Sequence, residues 1–305
     1  MGKADMATSS PPRPRGLSDR GMVWLFITPT IILLLGMTIF PLIWSLYLSF
    51  TNYSAVRSTS VRWVGFANYD RLLHNEDVWQ HFVVTARFVV LAVGAEMILG
   101  FGLALLLNRR FPGRGLIMTL MLTPMMLPPI VVGLFWNFIY RPDVGVINYY
   151  VTRVLRQPPI EWLTSIKLAL YSIVIVDIWM WTPFVMLIAL AGLSAIPRYL
   201  YEAAEVDRAS AWFKFRHITL PLVWPLLLIA LLFRTMDAFK MFDQVFILTG
   251  GGPGSSTETV SLFLCQVAFR RFNTGEASAL GYIILIIIIA LSNLYIRYLN
   301  KARAG

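Results

Sequence analysis

Six long apolar stretches constrain this chain more than any other feature of its sequence. Each is long enough to cross a lipid bilayer, which takes about 20 residues in a helix. Because lipid offers no hydrogen-bond partners to an open backbone, we expect all six stretches to be helical. The predicted fold class is an all-α membrane protein with six transmembrane helices. The predicted spans cover residues 22–48, 82–108, 116–140, 168–192, 218–236 and 277–298.

The composition excludes a disordered chain and argues against a water-soluble domain. Hydrophobic residues make up 57% of the 305 residues and charged residues 14%, whereas a soluble domain has about 25% charged residues. The single cysteine, Cys265, excludes an internal disulfide framework and a cysteine-based zinc site. The three histidines are spread along the chain, so no metal site is predicted.

The basic residues that give the net charge of +10 are distributed as expected for a membrane topology. Basic residues mark the cytoplasmic loops of membrane proteins, and short loops weigh most in this rule. The shortest loop holds Arg109, Arg110 and Arg114 and no acidic residue. We therefore expect a multi-pass protein with its N- and C-termini in the cytoplasm and with no nucleic-acid partner. Residues 1–21 are predicted to be a disordered cytoplasmic tail, followed by a transmembrane domain over residues 22–305.

The loop over residues 194–218 is predicted to contain a short amphipathic helix. Helix-forming residues follow Pro197, which suits a first helical position. Leu200 and Ala204 contribute apolar surface, while Glu202 and Asp207 contribute a charged flank. Such an element fits the groove of a partner protein. The physical pattern leaves a second interpretation open, in which the helix lies on the lipid surface.

This loop resembles the cytoplasmic coupling loop of bacterial ABC importer permeases. It departs from that pattern at Arg208, where the family usually has glycine. The matching residues are Glu202-Ala203-Ala204, Asp207, Ala209 and Ile218-Thr219-Leu220-Pro221. In the family, this loop forms the coupling helix that sits in a cleft of an ATP-hydrolysing subunit. The resemblance implies that the ATPase contacts are Glu202, Ala203, Ala204, Asp207, Arg208 and Phe213.

Three further segments resemble the carbohydrate, or maltose-type, branch of this family. They are residues 246–253 (FILTGGGP) with Thr257 shortly after, residues 63–69 (WVGFANY) and residues 103–108 (LALLLN). The first is typical of the larger maltose permease subunit, whose extra N-terminal helices we do not expect here. The resemblance implies a type I permease fold in a bacterial inner membrane.

The resemblance also implies several partners. These are a second, similar permease, an ATPase dimer that binds ATP–Mg, an extracytoplasmic solute-binding protein and a sugar-like substrate. This chain lacks a phosphate-binding loop of the Gly-x-x-x-x-Gly-Lys-Ser/Thr type. We therefore expect no enzyme activity and no cofactor in this chain, and ATP hydrolysis in the separate subunit.

A polar and aromatic stripe in the fourth span is a candidate for the solute pathway. Trp181 and Phe184 lie four and seven residues after Asp177, on the same helical face, with Met180 beside them. A carboxylate accepts hydrogen bonds from sugar hydroxyls, and aromatic rings cover the apolar faces of a sugar. The alternative is a helix–helix interface with one polar contact.

A second candidate stripe lies at the end of the fifth span. Arg234, Asp237 and Met241 share a face if the helix continues that far. The alternative is an internal Arg–Asp pair that only compensates charge. Alignment with maltose-type permeases places both stripes and Ala238 at positions that line the sugar cavity. Trp136 and Tyr140 are weaker candidates, because such residues often only form an aromatic belt at the membrane interface.

Glu96 lies among glycines in the second span, where we expect a structural hydrogen bond to a neighbouring helix. The mechanism expected from the resemblance is alternating access, driven by closure of the ATPase and movement of the coupling helix. Other functions stay open at this point. They are an ABC permease for glycerol phosphate or a polyamine, a membrane scaffold without transport, and a secondary transporter.

Overall fold

A computed structural model describes residues 18–56, 60–109 and 111–304. Helices are the regular elements of these residues: α1 (Asp19–Ser49), α2 (Ala67–Leu73), α3 (Glu76–Leu107), α4 (Arg114–Leu122), α5 (Pro129–Ile139), α6 (Val146–Arg153), α7 (Ala169–Ala195), α8 (Arg198–Val206), α9 (Ala211–Lys214), α10 (Leu220–Phe239), α11 (Asp243–Leu248), α12 (Val260–Cys265) and α13 (Thr274–Ala304). Most of the predicted disordered tail, residues 1–17, and Arg110 of the basic loop lie outside the described residues.

The chain divides into two compact units, with the boundary between Tyr47 and Leu48. The described part of the first unit belongs to α1, whose apolar side chains are mostly exposed. Aromatic residues pack along this helix, with ring centroids 6.4 Å apart for Phe40 and Trp44 and 5.8 Å apart for Trp44 and Tyr47. The second unit contains the other helices and the core.

Five helices of the described residues are long and apolar enough to span a membrane, and they correspond to five of the six predicted spans. The third predicted span is instead divided into α4, a 3-10 turn over Pro124–Met126, and α5. The physical reason is proline, because Pro124, Pro128 and Pro129 lack the N–H that a continuous helix needs. Leu127 and Pro128 accordingly adopt extended backbone conformations between the two helices.

The second unit is built on α3, α7 and α10, which pack against one another. Leu107 near the end of α3 meets Leu193 near the end of α7 and Val223 near the start of α10 in one buried cluster. The helices α3 and α7 therefore run parallel, and α10 runs antiparallel to both. A larger cluster fills the opposite half of the unit, where α12 and α13 also pack.

The contact between α3 and α7 requires a glycine. A Cβ atom added at Gly100 would lie 2.7 Å from Cβ of Val185, which is closer than two carbon atoms can pack. Small residues allow such close approach between membrane helices. A Cβ atom at Gly102, two residues further along α3, would meet no atom within 4 Å. Close packing therefore depends on one of these two glycines and not on the other.

We predict that Gly100→Ala destabilises the protein by about 1–3 kcal/mol, because the added methyl group overpacks the α3–α7 contact. Gly102→Ala is the matched control, since it makes the same change on the same helix in open space. Thermal unfolding of the purified variants in detergent measures the difference. Equal melting temperatures for the two variants would contradict this account of the helix contact.

Candidate functional site

A charged cluster connects the three central helices in the interior of the apolar bundle. Arg234 on α10 donates from Nε and Nη2 to both carboxylate oxygens of Glu96 on α3, at 2.7 and 3.0 Å. Its Nη2 also donates to Asp177 on α7 at 2.8 Å, and its Nη1 donates to Asp237 on α10 at 2.9 Å. One guanidinium group thus holds side chains from three helices, and charge-assisted bonds of this kind are the strong ones.

The members of this charged cluster differ sharply in exposure. The side chains of Arg234, Glu96 and Asp177 are at most 2% exposed, whereas that of Asp237 is 55% exposed. Burying an unpaired charge is very unfavourable, so the first three side chains depend on one another. Asp237 is the exposed member of the cluster.

Two aromatic side chains adjoin the cluster. Cζ of Arg234 lies 4.9 Å from the ring centroid of Trp181, which places the cation against the aromatic ring. Phe184 meets Trp181 edge to face, with 6.5 Å between ring centroids, and both rings are half-buried. The predicted stripe of Asp177, Trp181 and Phe184 on α7 is therefore brought against α10.

Three other predicted pathway residues are buried in the core, and a fourth lies beyond the end of α10. Asp177 is enclosed and bound by Arg234, so its carboxylate does not face an accessible surface in this conformation. Met180 and Ala238 are also buried in the core. The helix α10 ends at Phe239, so the assumption of a continuous helix as far as Met241 is wrong. Their contact with a solute stays a prediction.

Trp136 and Tyr140 lie together on and just after α5, with ring centroids 5.3 Å apart. Trp136 also meets Trp179 edge to face at 5.7 Å. Tyr140 is buried, and its hydroxyl donates to the backbone carbonyl of Ser172 on α7 at 3.1 Å. These contacts give Tyr140 a structural partner, and they place neither ring against the charged cluster.

The structure adds Gln244, which our sequence reasoning missed. Its side chain is buried on α11, where Nε2 donates to Sδ of Met180 at 3.2 Å. Its Oε1 atom has no hydrogen-bond partner among the described protein atoms. The available signal was a polar residue directly before the apolar run of residues 245–248. The break after α10, which turns this segment back towards α7, was not visible in the sequence.

The glycine-rich stretch forms a turn near the start of α3. Gly250 and Gly251 have φ angles of +61° and +95°, which favour glycine. The Thr257 hydroxyl lies 2.7 Å from that of Thr249 and donates to the carbonyl of Gly252 at 2.8 Å. The N–H of Val260 then donates to Thr85 of α3 at 2.9 Å. The signature threonine therefore closes this turn.

The coupling loop, residues 194–218, folds as the short helix α8 followed by a tight turn and by α9, which continues through a π-helical stretch into α10. The N–H groups of Arg208 and Ala209 donate to the carbonyls of Glu205 and Ala204, at 3.0 and 2.8 Å. These bonds form a Schellman motif, which needs a left-handed residue directly after the helix cap. Arg208 occupies that position with a φ of +54°. The conformation explains why a glycine suits this place, and it shows that arginine adopts the same turn.

The coupling loop is attached to the bundle at the end where α3 and α7 finish. The hydroxyl of Tyr201 lies 2.8 Å from that of Thr219, just before α10. Leu200 and Tyr201 pack on the buried cluster of that end. Lys214 pairs with Glu205 at 3.0 Å across the turn. The helix α8 is therefore held against the end of α7 and the residue that precedes α10.

The outer surface of the coupling loop contains a groove of about 490 Å³ between α8 and α9. Of the residues predicted to contact an ATPase, Glu202, Ala203, Asp207, Arg208 and Phe213 are exposed, and Ala204 is buried. The groove is lined by Leu200, Ala203, Ala204, Asp207, Ala209, Ser210 and Phe213. Within the residues that the structure describes, no group of histidine, cysteine and acidic side chains is arranged to hold a metal ion.

Comparison with known proteins decides the family. Residues 96–304 match the family described as binding-protein-dependent transport system inner membrane components. The chain belongs to this family. The match includes the charged cluster, the coupling loop and the glycine-rich turn. The chain is therefore a membrane transport component and not an enzyme, and the resemblance to ABC importer permeases is confirmed.

Two relatives are similar over almost the whole chain. A probable ABC transporter permease protein, y4oQ, of Sinorhizobium fredii is 40% identical over 92% of this chain and 90% of its own length. The trehalose/maltose transport system permease protein MalF of Thermococcus litoralis is 36% identical over 90% of this chain and 92% of its own length.

A solved structure shares the fold. It is a bacterial alginate ABC transporter in complex with an alginate pentasaccharide-bound periplasmic protein, and the matched chain is 22% identical. The similarity has a TM-score of 0.78 and covers 92% of this chain and 96% of the other. The predicted all-α ABC importer fold is therefore confirmed, with the third predicted span divided as described.

We predict that Arg234→Met destabilises the protein by roughly 3–5 kcal/mol, because it leaves Glu96 and Asp177 buried without a cation. Asp237→Asn removes the exposed partner of the same arginine and should cost about 0–1 kcal/mol. Thermal unfolding of the purified variants measures both. Adding Glu96→Gln and Asp177→Asn to Arg234→Met should restore part of the loss. A loss from Arg234→Met no larger than that from Asp237→Asn would refute the account.

We predict that Arg208→Val loosens the coupling loop, because a β-branched residue in the left-handed region is strained by about 1–2 kcal/mol. Arg208→Gly is the matched control and should preserve the turn. Hydrogen–deuterium exchange over residues 198–214 measures the effect, with faster exchange expected in the valine variant alone. Similar exchange in both variants would show that the turn does not depend on this residue.

Proposed function

We propose that this chain is the transmembrane permease subunit of an ATP-driven importer and forms half of the pathway for a sugar or sugar-like solute. The proposal is supported by relatives named as permeases for trehalose, maltose and starch degradation products. It is also supported by a membrane bundle in which an exposed carboxylate and two half-buried aromatic rings adjoin one another.

The proposal rests chiefly on the structure of the coupling loop. Its two short helices expose an acidic and apolar surface with a groove, and Tyr201 ties that surface to the start of α10. An ATPase that closes on ATP would move α8 and, through this attachment, tilt α7 and α10 between outward and inward access. The contacts proposed are those of Glu202, Ala203, Ala204, Asp207, Arg208 and Phe213.

The proposed solute pathway lies between α7 and α10. Asp237 is the member best placed to touch a solute, because its side chain is exposed, and the half-buried Trp181 adjoins the same cluster. The buried members of the proposed set are not expected to be exposed to the pathway but to support the residues that line it. They are Asp177, Met180, Arg234 and Ala238. The remaining members of the proposed set of pathway residues are Phe184, Met241, Trp136 and Tyr140.

The proposed assembly contains a second permease, an ATPase dimer that binds ATP–Mg, and an extracytoplasmic solute-binding protein. Six membrane segments supply only half of a pathway, which favours a second permease. We place the protein in a bacterial inner membrane with both termini in the cytoplasm. The basic residues Arg109 and Arg114 follow α3 at the end that carries the coupling loop, which supports a cytoplasmic position for that end. Residues 1–21 are the proposed tail and residues 22–305 the permease domain.

We predict that Glu202→Lys abolishes ATP-driven uptake, because it reverses the charge of an exposed residue on the proposed docking surface. The variant should still insert in the membrane, while co-purification of the ATPase subunit should fall by about tenfold or more. Uptake of radiolabelled trehalose or maltose into proteoliposomes, with ATPase co-purification, measures both effects.

The matched control is Asp77→Lys, which reverses an exposed acidic residue in the first turn of α3, at the opposite end of the bundle. It should leave ATPase co-purification unchanged. Normal uptake and normal co-purification for Glu202→Lys would disprove docking through this loop.

A further inference from the structure

We infer that the pathway selects against solutes with an anionic group, and that Asp237 is the residue that enforces this selection. The inference rests on the proposed function and adds the charge class of the solute to it. The alternative solutes left open by the sequence include glycerol phosphate, for which Arg234 is the obvious partner. The geometry of the charged cluster argues against that pairing.

Arg234 has little capacity left for an anionic ligand. A guanidinium group has five N–H donors, and four hydrogen bonds already run from it to Glu96, Asp177 and Asp237. One face of the group lies against the ring of Trp181. With a side-chain exposure of 2%, this arginine is enclosed on the remaining sides as well. A phosphate, sulfonate or carboxylate would have to displace a carboxylate that the fold already supplies.

The charge that a solute meets is therefore negative. The exposed carboxylate of the cluster is that of Asp237, whereas Arg234, Glu96 and Asp177 are buried, so a solute meets this carboxylate before it meets the cation. Lys240 follows Asp237 by three residues, but the ion pair that the structure gives Asp237 is with Arg234. A like charge within a few ångströms of Asp237 is repelled.

A neutral saccharide avoids this repulsion and uses the same atoms favourably. The exposed carboxylate of Asp237 accepts hydrogen bonds from hydroxyl groups. Trp181, which lies against the Arg234 group that binds Asp237, offers an aromatic surface to the apolar side of a sugar ring. Glu96 acts through Arg234, because it occupies two of the arginine's donors and so keeps the cation from the solute. It is a positioning residue and Asp237 is the specificity-determining one.

The test measures the dissociation constants of two probes for the purified complex of both permeases and the ATPase dimer. The binding protein is left out of this measurement. The probes are trehalose and the same disaccharide with one primary hydroxyl oxidised to a carboxylate. Omitting the binding protein removes its own preference from the result. We expect the native complex to bind the carboxylate probe about tenfold more weakly than trehalose.

Asp237→Asn should reduce that ratio of dissociation constants towards one, because asparagine keeps the shape and a hydrogen-bond acceptor but loses the charge. Asp77→Asn is the matched control, because it makes the same change at an exposed acidic residue in the first turn of α3, far from the charged cluster. It should leave the ratio as it is in the native complex. If both probes bind equally to the native complex, or if Asp237→Asn leaves the ratio unchanged, the inference fails and the proposed function stands. If neither probe binds, the proposed function fails and the inference fails with it.

Discussion

The centre of this structure depends on one physical constraint, which is that an arginine is buried in an apolar bundle. A charged side chain in a membrane segment is unfavourable unless protein or water surrounds it. Arg234 meets this requirement with carboxylates from α3, α7 and α10, so the three central helices are joined at one point. The close α3–α7 approach at Gly100 lies on the next turn of α3 after Glu96.

The same arrangement relates the membrane interior to the coupling loop. Arg234 and the start of α10 belong to one continuous helical segment, whose beginning is held to α8 by Tyr201 and Thr219. The loop itself is stabilised locally by the Schellman turn at Arg208 and by the Lys214–Glu205 pair. One continuous helical segment therefore leads from the coupling loop to the charged cluster.

Sequence reasoning located the main parts of the molecule because each has a local signal. Long apolar runs mark the spans, and five of six are continuous helices as expected. The coupling loop was recognised from a short motif, and its amphipathic helix is present as α8. The prolines of the third span are also visible in the sequence, but the apolarity of a segment does not reveal whether its helix is continuous. The division into α4 and α5 follows from the missing N–H groups of Pro124, Pro128 and Pro129.

The sequence by itself determined the membrane class, the order of the spans and the residue types in the two candidate stripes. Only the tertiary structure decided which ionisable residues meet. Glu96 and Arg234 are 138 positions apart, and no helical periodicity relates them. Asp177 was expected to face a sugar, but it is enclosed by the arginine, which leaves Asp237 as the exposed carboxylate. The physical reason is that a buried charge is satisfied by whichever helices pack around it, and packing is a property of the folded chain.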